Sequence, residues 1–298
     1  AHKQRAAPIF PEYDVDYLRK EIDEFEKRPG DSFAISEDNK KRLTEILPYW
    51  KGKTVKETVY SMCPEETLKA GEGGFGYAGV GVADSTWEVE NGDGHITVGY
   101  DKILKLGLRG ILKEAKEHLS TIDLTDPENI PKYHFLKAVT IALESSIGFA
   151  KRYSRLPRQM AQETIDPGRR EEFERIAEVC DWVPENPART FHEAVQSVWF
   201  VQLIIQIETN GHSISLGRFD QYMYRYFESD LKAGRLTREQ ALELVECFYL
   251  KLNSVNKLRS WDGTQFLAGY PMFQNLTVGG QTRDARDATN ELSYICLE

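Results

Sequence analysis

The sequence predicts a helix-rich α/β protein, and three observations carry that reading. Capping-box pairs recur at Thr54/Glu57, Thr190/Glu193 and Thr237/Gln240, each ahead of a helical pattern. The run Val195 to Ile207 is largely apolar around its circumference, with Gln202 and Gln206 among the breaks, which suits a buried helix. Strand-like composition is confined to short pieces, Ile96-Thr97-Val98 and Tyr270 to Val278.

Taken in order, residues 14–28 and 36–47 carry helical spacing, punctuated around Pro29 and Pro48. Thr54 opens a short helix to about Met62, and Pro64 starts another toward Ala70. Six glycines then crowd positions 71–81, followed by an irregular stretch to Asp93. Asp101 caps a helix running to about His118. Tyr133 to Arg155 is a long helix with Gly148 as a weak point, and a charged helix follows over Gly168 to Val179. Pro184 and Pro187 form a linker, and Thr190 begins the buried helix. Gln221 to Lys232 is helical, ending near Gly234, and Ala241 to Val255 follows the third capping box. Gly279-Gly280 ends the last strand, and Ala288 to Glu298 is a helical run with neither a glycine cap nor a proline stop. The chain also opens on Ala1 without a signal-peptide pattern, so it reads as an N-terminal piece of a longer protein.

Composition narrows the function. The net charge is −9, with no long basic run, which argues against nucleic acid and anionic membrane as partners. No apolar stretch is long enough to cross a bilayer, and a soluble cytoplasmic protein is expected. Cys63, Cys180, Cys247 and Cys296 lie far apart with no C-x-x-C pairing, so zinc ribbons and disulfide scaffolds lose support.

Several motifs yield to plainer readings. Gly71-x-Gly73-x-x-Gly76 and Gly74-x-Gly76-x-x-Gly79 have dinucleotide spacing, but a helical pattern precedes them where a strand is needed. His192-Glu193-x-x-Gln196 lacks the second histidine of a zincin, leaving Glu193 as a helix cap and His192 as a partly exposed helix residue. Arg218, Asp220 and Tyr222 order a turn through an internal ion pair and hydrogen bonds, and Tyr222, Tyr224, Tyr226 and Phe227 are packing aromatics.

The junction after the buried helix is the informative one. Such a helix is expected to end inside the protein, so that His212 and Ser213 emerge into an interior cavity. His95, flanked by Gly92, Gly94 and Gly99, and the Tyr270 hydroxyl could line the same pocket, although nothing in their spacing brings them together.

Residues 210–226, NGHSISLGRFDQYMYRY, and 269–291, GYPMFQNLTVGGQTRDARDATNE, resemble the glycyl radical enzymes of the pyruvate formate-lyase-like superfamily, and Gln4 to Pro8 with Phe10-Pro11-Glu12 resemble its N-terminal region. The resemblance implies that residues 1–298 are the N-terminal part of a single domain built as a ten-stranded α/β barrel, stopping before the cysteine loop and the C-terminal glycyl radical domain. It also implies a radical-SAM activating enzyme as partner, a homodimer, no bound metal, and a cytoplasmic location, free or inside a bacterial microcompartment. No cysteine here stands in the family's Gly-Cys-x-Glu setting, so the piece alone is expected to be inactive.

Among subfamilies, Gly94-His95, Gly211-His212-Ser213 and Tyr270 look most like the B12-independent glycerol and propane-1,2-diol dehydratases. By that likeness His95, His212, Ser213 and Tyr270 contact the diol, with His95 and His212 catalytic. The residue types suit the reaction: after hydrogen abstraction at C1 the neighbouring hydroxyl must leave as water, and an imidazole can donate the proton near neutral pH. Choline lyases of the superfamily carry a carboxylate where His95 stands, which argues against a quaternary ammonium substrate. Another glycyl radical lyase, or a non-catalytic scaffold, remains the alternative.

Overall fold

The computed structural model describes residues 9–30, 32–72, 95–209, 211, 213–266 and 272–298. The glycine cluster from Gly73 onward, His212, Tyr270 and the segment Gln4–Pro8 lie outside the described residues. The chain divides into two units, the first comprising Ala1–Ile96, Ile205–Ser215 and Lys251–Asn275, the second Thr97–Ile204, Leu216–Leu250 and Leu276–Glu298.

In the first unit, α1 (Asp16–Glu21) is shorter than its helical pattern, and the chain continues to Lys27 as successive turns, with Phe25 N–H bonded to Glu21 O. Helix α2 (Glu37–Trp50) is capped by Ser36, which accepts from Asn39 N–H, and it runs through Pro48 instead of ending there. Proline so near a helix C-terminus removes a single bond and leaves most of the ladder intact. Thr54 and Glu57 form both halves of a capping box on α3 (Val55–Met62), and α4 (Glu65–Glu72) follows Pro64. Val15, Leu18, Phe25, Leu43, Leu47 and Leu258 make the core of this unit. Beside it the buried Arg28 donates to Glu21 Oε2 (2.6 Å) and to Arg259 O (2.9 Å), its guanidinium lying over Phe25 and Trp261. The short strand β1 (Ile96–Thr97) begins at the end of this unit.

In the second unit α5 (Tyr100–Ser120) starts after Gly99, so Asp101 is not the cap expected of it; its carboxylate sits in the first turn and accepts from Lys105 (2.5 Å). The helix bends at Gly107, where φ is +65° and the Leu108 and Arg109 amides leave the ladder to bond Pro184 O and Glu185 O. A Cβ at Gly107 would overlap Glu185 O and come within 2.6 Å of the Asn186 carbonyl carbon. Helix propensity alone favours alanine at this position by about 1 kcal/mol. The backbone geometry overrides it, so Gly107→Ala is expected to destabilise by about 2–3 kcal/mol in urea unfolding, and a neutral or stabilising result would contradict this reading of the bend.

Helix α6 (Ile130–Glu163) extends beyond both expected ends and takes Gly148 and Pro157 within it; it packs along α7 (Pro167–Trp182), capped by Asp166. Helix α8 (Phe191–Glu208) is the buried one: Phe191, Ala194 and Val198 are fully enclosed. Its N-terminus is satisfied from elsewhere, since Asp230 Oδ2 accepts from Phe191 N–H (2.7 Å). Thr190 Oγ1 accepts from Glu193 N–H (3.2 Å) as expected, but the Glu193 carboxylate turns to Arg189, taking its backbone N–H (2.6 Å) and its guanidinium. His192 is partly exposed, and burial followed by the charge of Arg175 lowers its pKa.

Strand β2 (Ile214–Ser215) is hydrogen-bonded to β1, and β3 (Gly217–Arg218) pairs in parallel with β4 (Leu276–Thr277), Gly217 opposite Leu276. The strand expected over Tyr270 to Val278 is thus confined, among the described residues, to two positions, and Phe273, at φ +48°, interrupts extension before it. Helices α9 (Phe219–Lys232) and α10 (Arg238–Ser254) follow, the latter opened by reciprocal Thr237–Gln240 bonds (3.0 and 3.2 Å). Phe219 stacks on Phe248 and Phe191 meets Phe227 edge-on, so these aromatics are packing residues. Arg218 and Asp220 do not form the expected ion pair. Arg218 donates to Gly279 O and Gln281 O, while Asp220, fully buried, accepts from Gly279 N–H (2.7 Å) and from the Ser293 hydroxyl. Two carbonyls and an amide remote in sequence compete successfully for the two charges. The first unit also holds α11 (Trp261–Phe266), and the second ends in α12 (Glu291–Ile295), which Asn290 caps, making it shorter than the expected terminal helix.

Candidate functional site

The end of α8 sets the geometry. Thr209 returns both its N–H (3.0 Å) and its Oγ1 (2.9 Å) to Ile205 O, and Gly211 N–H then donates to Thr209 Oγ1 (3.3 Å). Gly211 has φ +46° and Ser213 φ +59°, so the chain reverses tightly before β2. Ser213 N–H donates to Met272 O (2.9 Å), tying this turn to the segment two residues beyond Tyr270.

Of the four expected site residues, His95 and Ser213 are among the described residues. His95 stands immediately before β1 and Ser213 immediately before β2, the two strands of one ladder. Within this chain their surroundings are partly open. Ile207 is 42% exposed, Glu208 and His95 are exposed, and Ser213 is half-buried within this chain. The last turn of α8 is open because the apolar enclosure that covers Phe191 to Val201 does not extend to Ile207 and Glu208.

Polar groups not singled out as site residues adjoin this junction. Gln206, 1% exposed, donates Nε2 to Gln274 Oε1 (3.1 Å), and Gln274 Nε2 donates to Leu252 O (3.1 Å). One turn earlier Gln202 Oε1 accepts from the Tyr100 hydroxyl (2.5 Å), and burial drives that phenol's pKa up. The two glutamines at i and i+4 in the most apolar stretch of this helix were the available signal: a buried amide must be hydrogen-bonded or in use. In the first unit Lys257 and Arg259 are each 1% exposed, and burial, with the Arg259 charge second, lowers Lys257 to about 6. Cys180 and Cys296 are buried and pushed up to about 11, which keeps both thiols neutral and unreactive.

A family profile described as pyruvate formate lyase-like matches residues 1–298. The chain belongs to the pyruvate formate lyase-like family. A structure of a protein for 1,2-propanediol dehydration in Roseburia inulinivorans superposes with a TM-score of 0.92 at 43% identity, over 100% of this chain and 36% of that one. The glycerol-bound B12-independent glycerol dehydratase of Clostridium butyricum gives a TM-score of 0.90 at 41% identity, over 100% and 36%. The probable dehydratase YbiW of Escherichia coli K12 is 41% identical over 302 residues, 100% of this chain and 36% of the relative. The chain therefore spans a little over a third of the length of the relatives it matches, and its fold is that of the N-terminal part of the family's α/β barrel. Its relatives are glycyl radical dehydratases and lyases. Among the described residues no helix is long and apolar enough to cross a membrane.

Proposed function

We propose that the chain is the N-terminal part of a single glycyl radical domain whose complete protein dehydrates a small vicinal diol, propane-1,2-diol or glycerol, to the aldehyde. The observation that carries this reading is the likeness, along the whole chain, to two solved structures that concern 1,2-propanediol dehydration and glycerol dehydration. The ladder joining the strands that follow His95 and Ser213, and the bond from Ser213 to Met272, two residues after Tyr270 in sequence, support it from within the chain.

The glycyl radical, formed in the longer protein by a radical-SAM partner, supplies abstraction of hydrogen from C1. The residues of this chain do the rest. Ser213 and Tyr270 hold the two hydroxyls by hydrogen bonds, which fixes the C2–O bond relative to the radical centre. His95 and His212 bracket the hydroxyls; one imidazole, protonated, gives its proton to the C2 oxygen as the C2–O bond breaks and water leaves, while the other, neutral, takes the proton of the C1 hydroxyl, leaving a neutral carbon radical next to the new carbonyl. Return of a hydrogen atom completes an aldehyde isomeric with the diol minus one water. The complete protein is a cytoplasmic homodimer in this proposal.

The test extends the chain to full length, activates it anaerobically, quantifies the glycyl radical by electron paramagnetic resonance, and offers propane-1,2-diol, glycerol, isethionate and trans-4-hydroxyproline. Propanal or 3-hydroxypropanal is the expected product. Sulfite from isethionate, with no aldehyde from either diol, assigns the lyase reading instead.

A further inference from the structure

We infer that Gln206 is a positioning residue: its carboxamide seats the Gly211 turn and thereby sets where the Ser213 hydroxyl is presented. The claim rests on the reading above, in which Ser213 holds a substrate hydroxyl.

The amide is held in one orientation by the relay through Gln274 to Leu252 O, since Nε2 is committed as donor. That leaves Oε1 facing the turn, fully buried and with no hydrogen-bond partner among the described residues. A Cβ added to Gly211 would overlap Oε1 and come within 2.5 Å of Cδ and 3.2 Å of Gln206 Cα, so the Gly211 backbone rests directly on this side chain. The turn is thus clamped at two points, the Gln206 amide under Gly211 and Met272 O at Ser213 N–H. A leucine or methionine would fill the same volume without burying an unsatisfied acceptor, which is costly to leave unmade. A buried acceptor retained at this spot is explained if its oxygen receives a donor of the ligand that the turn presents.

In the full-length activated protein, Gln206→Met keeps the volume and loses both the bond to Gln274 and the buried acceptor, whereas Gln206→Glu keeps the acceptor. The measurements are kcat and KM for the diol, glycyl radical yield, and hydrogen exchange of peptides over 209–216. Gln206→Met is expected to raise KM roughly tenfold or more with kcat within about threefold. Exchange over 209–216 should quicken about tenfold while α6 and α7 stay unchanged. Gln206→Glu restores the acceptor but not the donation to Gln274, so it should recover KM only in part. Unchanged KM and unchanged exchange overturn the proposal, and so does faster exchange spread over the whole chain with no shift in KM. Should the wild type carry its radical yet turn over no diol, the diol reading fails alone, and local exchange in Gln206→Met still decides the seating of the turn.

Discussion

His95→Gln and His212→Gln, each in the full-length activated protein, are expected to lower the rate of aldehyde formation from propane-1,2-diol by about 10²- to 10⁴-fold, the range a positioned acid or base contributes. This corresponds to roughly 3–5 kcal/mol of transition-state stabilisation. The expectation follows from the leaving group: hydroxide does not depart from a carbon beside a radical without a proton, and serine and tyrosine hydroxyls are poor donors near neutral pH. Glutamine retains hydrogen bonding but cannot deliver that proton. The histidine that donates should lose kcat, and one that only holds a hydroxyl should raise KM. Both variants should still acquire the glycyl radical. Retention of more than about a third of wild-type kcat/KM in either variant removes that histidine from the catalytic role.

The second large effect lies away from the site, at Lys257. Its side chain is 1% exposed, and burial holds it at about 6 against 10.5 for an ordinary lysine. Between those values the unfolded chain keeps a proton that the folded chain has released, so stability rises with pH across that window. The slope from this one group approaches about 1.4 kcal/mol per pH unit. Below pH 6 both states are protonated and the full cost of the buried charge persists. Lys257→Met removes the titrating group at similar volume. It should stabilise the protein by on the order of 1–4 kcal/mol at pH 7, with the gain shrinking toward pH 9. Urea midpoints of wild type and variant at pH 6.5, 7.5 and 9 measure this; a difference that stays constant with pH contradicts it.

What could be read from residue order was local. Thr54 with Glu57 and Thr237 with Gln240 meet within one helical turn, so their capping bonds follow from spacing alone. Glu193 has the same spacing but was diverted by Arg189, and the helix end it should have served is capped by Asp230, which no local pattern names. The bend at Gly107 exists because carbonyls 184 and 185 arrive from a distant segment. Arg218 and Asp220 look like partners until the backbone at 279–281 is brought beside them.

At the candidate site the balance is similar. His212, Ser213 and Tyr270 lie in the two long motifs of the resemblance and His95 follows from the Gly94-His95 likeness to the diol dehydratases; no spacing shows the four converging. Within this chain the last turn of α8 is open at Ile207, because hydrophobicity of a helix says nothing about which elements reach its last turn. Gln206 carried a usable signal, an amide one turn after Gln202 in an apolar helix, yet its meaning depended on Gly211 and Gln274, which only the folded chain brings to it.

The most direct measurement is a crystal structure of the full-length protein with propane-1,2-diol bound. The account predicts the two diol hydroxyls within hydrogen-bonding distance of His95, His212, Ser213 and Tyr270 side chains in one enclosed pocket. A diol held by other residues, or any of these four side chains turned to bulk solvent in the complete protein, would contradict it.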